Sequence, residues 1–204
     1  MAESAADVHA RVLQHAADGR LPMPPSGEWD VFPWEVRDGR VAPRALRRPA
    51  PEPPREGEDP ARPCSSCAGF DPDRVVWEDE RWVLTHRGAP SGLPLVLVLH
   101  TREHLDAGDL DDDHASELGR ITNRLVRVVG SLDNIGRVHV NRWGDGGSHF
   151  HLWFHARTAG LTSVLGSYAV EWDDILPPGP EDVWRADLHT VATKLANWGG
   201  TARA

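Results

Sequence analysis

The sequence predicts an α+β domain built on an antiparallel sheet. Three observations point there: five short β-branched and aromatic segments bounded by turn residues, one long amphipathic stretch between the third and fourth, and no regular alternation of strand and helix. The strand segments are Val75 to Glu78, Arg81 to His86, Pro94 to His100, Gly136 to Asn141 and His149 to Arg157.

The crossover helix is predicted over Asp111 to Val129. Leu118, Ile121, Leu125 and Val128 fall on one helical stripe, and the acids Asp111 to Asp113 stand where a helix start favours negative charge. A C-terminal helix is expected over Glu181 to Trp198, opened by Pro178-Gly-Pro-Glu, closed by Gly199-Gly200 and striped by Trp184, Leu188, Val191 and Leu195. A short helix is expected over Asp7 to Ala17 through Val8, Val12 and His15. Eleven of the 17 prolines precede Cys64, and Pro49 to Pro63 alternates proline with charge, a composition too poor in apolar side chains to fold by itself. The expected organisation is an N-terminal arm over 1–63, a domain over 64–160 and an extension with one helix over 161–204. Trp29, Phe32 and Trp34 are expected to dock the arm on its own domain or on another subunit, while Glu171 to Pro178 suggests no chemistry.

Composition excludes several classes. A net charge of -9 argues against non-specific nucleic-acid binding, which depends on Lys and Arg neutralising phosphates. The longest run of apolar residues and proline, Leu93 to Leu99, is far short of the roughly 20 residues of a membrane span. The N-terminus is acidic, with no apolar stretch behind it, so a cytoplasmic protein is expected.

Two constellations carry chemistry. Cys64-Ser-Ser-Cys67 suits a metal or a redox pair, and Pro63, Gly69 and Pro72 around it favour half a zinc site over the strand-to-helix junction of a redox motif. In His149-Phe-His-Leu-Trp-Phe-His155, period-2 alternation puts His149, His151, Trp153 and His155 on one face. The preceding glycine-rich turn, Gly144 to Ser148, can aim backbone N–H groups at an anion or be an ordinary tight connection.

Taken together, Cys64-x-x-Cys67, Val76 to Leu84, Leu95 to His104, Asn141 and His149-x-His151 resemble the histidine-triad (HIT) superfamily, including its galactose-1-phosphate uridylyltransferase branch. The resemblance implies a HIT-like fold and a reaction at the α-phosphorus of a nucleotide, with His151 as the nucleophile that forms a nucleotidyl-histidine intermediate. It implies a closed structural Zn2+ site of Cys64, Cys67, His104 and His149, with His100 as rival ligand. Candidate phosphate or substrate contacts are Asn141, Arg142, Gly146, Gly147, Ser148, Trp153 and His155, where Trp153 either stacks on a base or packs and Arg142 either meets phosphate or pairs at the surface. The resemblance also implies pairing as a homodimer. Three departures stand out. Trp153 occupies the third triad position, the loop from Asn141 to His149 is about three residues short, and Thr85-His86-Arg87-Gly88 lacks the carboxylate that many members turn to a ribose.

The function expected is hydrolysis or transfer of a nucleotidyl group from a nucleotide or nucleotide-sugar substrate. The alternative is a non-catalytic, zinc-stabilised nucleotide-binding or protein-interaction module that has lost the full triad. A third reading makes His139, His151 and His155 an open metal site.

Overall fold

The computed structural model describes residues 2–23 and 32–204; Trp29 and the residues beside it lie outside the described residues. Strands β1 (Trp34–Arg37) and β2 (Arg40–Pro43) form a separate hairpin. Its two-residue turn, Asp38 and Gly39, has φ of 51° and 73°, the positive values that a tight hairpin twist demands.

The main sheet contains β3 (Val75–Glu78), β4 (Trp82–His86), β5 (Leu95–Thr101), β6 (Ile135–Asn141), β7 (His151–Thr158) and β8 (Thr201–Ala202), in the spatial order β6-β7-β5-β4-β3-β8. Every pairing is antiparallel. Helices α2 (Asp112–Gly130) and α4 (Glu181–Ala196) cover one face, and Leu95, Leu97, Leu99, Phe150 and Phe154 pack there against Ile121, Leu125, Val128, Leu188 and Val191. α2 starts where the sequence indicates because the Asp111 carboxylate accepts the His114 N–H.

The opposite face carries the alternate residues of the same strands. Val96 pairs with His155, Val98 with Trp153 and His100 with His151, so these side chains point away from α2 and α4. A smaller cluster of Leu93, Val96, Val164, Ala169 and Leu176 covers one end of this face, supported by Val12 of helix α1 (Ala5–His15) and by Trp172 of helix α3 (Tyr168–Ile175).

Three differences from the sequence reading follow. The sheet has a sixth strand: Ala202 pairs with Trp77 and Thr201 with Glu78. This two-residue strand is too short for a periodic signal, and the Gly199-Gly200 that stops α4 also turns the chain onto β3. At Gly200, φ is +76° and an added Cβ would lie 2.6 Å from the Glu78 carbonyl oxygen and the Trp77 ring. The 161–204 segment contains two helices where one was expected, α3 overlapping the first five residues of the Glu171 to Pro178 stretch. The arm is also not uniformly extended: beyond the expected short helix, capped by a box between Ser4 and Asp7, it contains the β1–β2 hairpin, and residues 55–62 fold into a turn against the domain. Among the described residues no helix is long and apolar enough to cross a membrane.

Candidate functional site

β7 begins at His151, not at His149. That shift gives the two histidines separate duties. His149 lies before the strand, buried, and donates its Nε2 proton to the Thr101 carbonyl at 2.8 Å, which fixes the tautomer and leaves Nδ1 as a free lone pair. Nδ1 faces the thiols, 3.5 Å from Cys64 Sγ and 3.6 Å from Cys67 Sγ. His104 Nδ1 is 3.1 Å from Cys67 Sγ, and the Cys67 N–H reaches Cys64 Sγ at 3.4 Å.

One donor atom each from Cys64, Cys67, His104 and His149 lie within 4.8 Å of one another. Two sulfurs and two imidazole nitrogens, each histidine with its other nitrogen engaged, form a donor set suited to a borderline-soft ion in a closed tetrahedral site. The residues present therefore fit a metal ion. His100 is not in the cluster. Its Nε2 lies 3.2 Å from Thr85 Oγ1 and its ring rests 5.0 Å from Phe70. Burial, then the nearby His149 and His151, pushes its pKa down to about 3.

His151 stands on β7 directly across from His100. Its Nδ1 is 2.9 Å from the His149 carbonyl. A carbonyl can only accept, so Nδ1 carries the proton and Nε2 has the lone pair. The side chain is half-buried, which leaves the ring within reach of a ligand.

The other sequence-indicated residues divide into groups. Trp153 follows on the same face, stacked on His155 at 5.8 Å and 16°. Arg87 lies over the Trp153 ring at 5.9 Å, and Trp143 meets that ring edge-on at 6.3 Å. His155 is 2% exposed, and burial, then Arg87 and His139, holds its pKa down to about 4. Asn141 Nδ2 approaches His155 Nδ1 at 3.4 Å. Arg142 pairs with Asp106 at 2.5 Å. The Gly146 carbonyl accepts the Glu56 N–H, and Gly147 bridges Glu56. Ser148 is buried, its hydroxyl set between the Glu56 carbonyl and His104 Nε2.

The structure thus brings the four metal-ligand candidates together and separates them from a neighbouring face of His151, Trp153, His155 and Asn141. His139 faces His155 across the strands, but His139, His151 and His155 do not converge among the described residues, which corrects the reading of an open metal site there. Sequence reasoning missed Arg87, Trp143, Thr101 and the Arg55–Gly57 segment. Thr101 acts through its backbone, so no residue-type signal could have marked it, and Gly57 sits inconspicuously within the charged, proline-rich run.

No family model matches the sequence, and no curated protein does either. Among solved structures the chain is similar to a histidine triad protein from Bradyrhizobium japonicum, at 13% identity and a TM-score of 0.48 over 59% of this chain and 88% of that one. It is similar to a Zn-bound histidine triad family protein from Mycobacterium smegmatis at 16% identity and a TM-score of 0.46, over 66% of this chain and 96% of that one. A hypothetical histidine triad nucleotide-binding protein from Sulfolobus tokodaii strain7 aligns at 16% identity and a TM-score of 0.42, over 61% of this chain and 84% of that one. The likeness is one of fold.

Proposed function

We propose that the chain is a zinc-stabilised protein of the histidine-triad type that hydrolyses or transfers a nucleotidyl group, with His151 attacking the α-phosphorus. The observation that carries this reading is the hydrogen bond from His151 Nδ1 to the His149 carbonyl. It sets the tautomer in which Nε2 is a ready nucleophile, and it stabilises the proton on Nδ1 when Nε2 becomes bonded to phosphorus and the ring turns cationic. In the first step the Nε2–P bond forms and the leaving group departs with the electron pair of its bond to phosphorus. In the second, water or another hydroxyl acceptor bonds to phosphorus and gives up its proton to solvent as the N–P bond breaks and its pair returns to Nε2.

The Gly146–Gly147 backbone and Asn141 are proposed to meet the phosphate. Ser148, whose hydroxyl lies between Glu56 and His104, and Arg142, one of whose guanidinium nitrogens pairs with Asp106, also shape the loop, and the remaining N–H groups of Arg142 are proposed to meet the phosphate. Zinc held by Cys64, Cys67, His104 and His149 supplies a structural cross-link that fixes the chain leading into His151.

A second reading, a binding module without turnover, is favoured by one observation. Trp153 and a buried His155 fill the third position of the triad face and offer no proton carrier there, His155 staying neutral down to about pH 4. The test is release of nucleoside monophosphate from dinucleoside polyphosphates, nucleoside phosphoramidates and nucleotide sugars, by the parent and by His151→Asn. Release by the parent alone supports the transferase reading. Binding without release by either protein overturns it in favour of the module.

A further inference from the structure

The segment ahead of Cys64 is built into the metal-ligand cluster. Glu56 donates its N–H to the Gly146 carbonyl at 3.0 Å, and its own carbonyl accepts the Ser148 N–H at 3.0 Å. The same carbonyl accepts the Ser148 hydroxyl proton at 3.0 Å. Ser148 Oγ, its proton committed, accepts from His104 Nε2 at 3.2 Å, so His104 must present an unprotonated Nδ1 to the thiols. On its other side the Glu56 carboxylate accepts the Ser65 N–H at 2.6 Å, inside the turn that sets the spacing of Cys64 and Cys67.

Gly57 permits this close approach. Its φ is +91°, and a Cβ there would lie 2.7 Å from His104 Cε1, 2.7 Å from Ser148 Oγ and 3.2 Å from Cys64 Cβ. Here the left-handed backbone and the crowding require glycine together. Arg55 ties the segment outward: its guanidinium donates to Glu58, to Asp106 at 2.7 Å and to the Gly144 carbonyl at 3.2 Å. Asp106 also receives Arg142 at 2.5 Å. Residues 55–57 therefore touch the ligand cluster on one side and the 142–148 loop, which leads into His149 and His151, on the other.

We propose that Glu56 and Gly57 are positioning residues of the metal centre, and that through the Arg55–Gly57 clasp metal binding and ordering of the 142–148 loop are one coupled equilibrium. The proposal rests on the reading of Cys64, Cys67, His104 and His149 as metal ligands. Coupling of this kind is reciprocal: whatever loosens the clasp weakens the metal, and loss of the metal loosens the loop. Groups that orient a ligand of a metal change its affinity by about 10–100-fold when disturbed.

The test titrates zinc into the metal-free full chain against a chromogenic chelator, and follows hydrogen exchange of peptides spanning 142–148 with and without zinc. Gly57→Ala is expected to bind zinc at least about tenfold more weakly than the parent. Arg55→Met, which leaves the ligand contacts of residues 56 and 57 in place, is expected to bind several-fold more weakly and to lose most of the zinc-dependent protection of the loop. Gly39→Ala carries the same positive-φ penalty, but its Cβ meets nothing within 4 Å, and it is expected to match the parent in both measurements. Equal zinc affinity in Gly57→Ala and the parent, or loop exchange indifferent to zinc in the parent, overturns the proposal. A parent that takes up no zinc overturns the metal-centre reading beneath it.

Discussion

His151 donates Nδ1–H to the carbonyl of His149 at 2.9 Å, and His149 points its own Nδ1 at Cys64 and Cys67. The candidate nucleophile and the candidate metal ligand are thereby joined through a single backbone carbonyl. The cluster sets where that carbonyl stands, and the carbonyl sets which nitrogen of His151 is free.

Removal of the metal is expected to cost stability. An ion held at a hundred times its Kd adds about 2.7 kcal/mol, and for a chain of this size each kcal/mol moves Tm by about 2–4 °C. Chelation is therefore expected to lower Tm by about 5–10 °C, restored by zinc. Calorimetry checks this, and a Tm unmoved by chelation contradicts a structural metal.

The core on the helix-covered face predicts a second outcome. Leu125 is 0% exposed, between the sheet and α4, and Leu125→Ala is expected to destabilise by about 2–5 kcal/mol through the cavity it leaves. Leu46 is 99% exposed, and its replacement by Ala is expected to stay within about 0.5 kcal/mol. Urea unfolding of the two variants separates these values.

On the opposite face Asp173 of α3 holds the 87–93 loop. Its buried carboxylate accepts the Leu93 N–H at 2.8 Å, its carbonyl accepts the Gly92 N–H at 3.2 Å, and Arg87 stands 3.9 Å away. Burial raises its pKa above the ordinary aspartate value. Asp173→Ala strands the Leu93 N–H and is expected to cost about 1–3 kcal/mol, whereas Asp173→Asn, which keeps an acceptor, costs less. Equal stability of Ala and parent in urea contradicts the role.

His155 gives a pH dependence. Burial, then Arg87 and His139, holds its folded-state pKa down to about 4, against 6.5 for a free imidazole. The unfolded chain then binds the extra proton first. His155 exacts no protonation cost above pH 6.5 and removes stability as pH falls from 6.5 toward 4, by up to about 3 kcal/mol at about 1.36 per pH unit. Metal release in acid contributes to parent and variant alike. The stability difference between the parent and His155→Gln, both zinc-loaded, is therefore expected to change across this window and be flat above it. A difference that does not vary with pH contradicts the assignment.

Much of this architecture was legible because its signals are local. The Leu118, Ile121, Leu125 and Val128 stripe located α2, and β-branched runs located the five longer strands of the main sheet to within two residues, while the β1–β2 hairpin went unread. Cys-x-x-Cys and His-x-His marked Cys64, Cys67 and His149, whereas His104 was chosen over His100 only through the family resemblance. What stayed illegible depends on tertiary placement. β8 exists only because Gly200 lets two residues reach β3, and α3 is held by Asp173 contacts that no local pattern announces. Gly57 and Glu56 looked like part of a solvated linker, since a backbone carbonyl that orients Ser148 leaves no mark on composition. The placement of the Ser148 hydroxyl between Glu56 and His104 was likewise invisible, because it depends on the arm closing over the loop.

The central claim is that Nε2 of His151 attacks phosphorus. The most direct measurement is rapid quenching of the zinc-loaded chain with an α-phosphate-labelled nucleotide donor, followed by digestion and mass spectrometry of the peptide containing His151. A nucleotidyl adduct on His151, labile to acid and absent from His151→Asn, is the result the mechanism requires. Turnover with no adduct on His151, or equal turnover by His151→Asn, contradicts it.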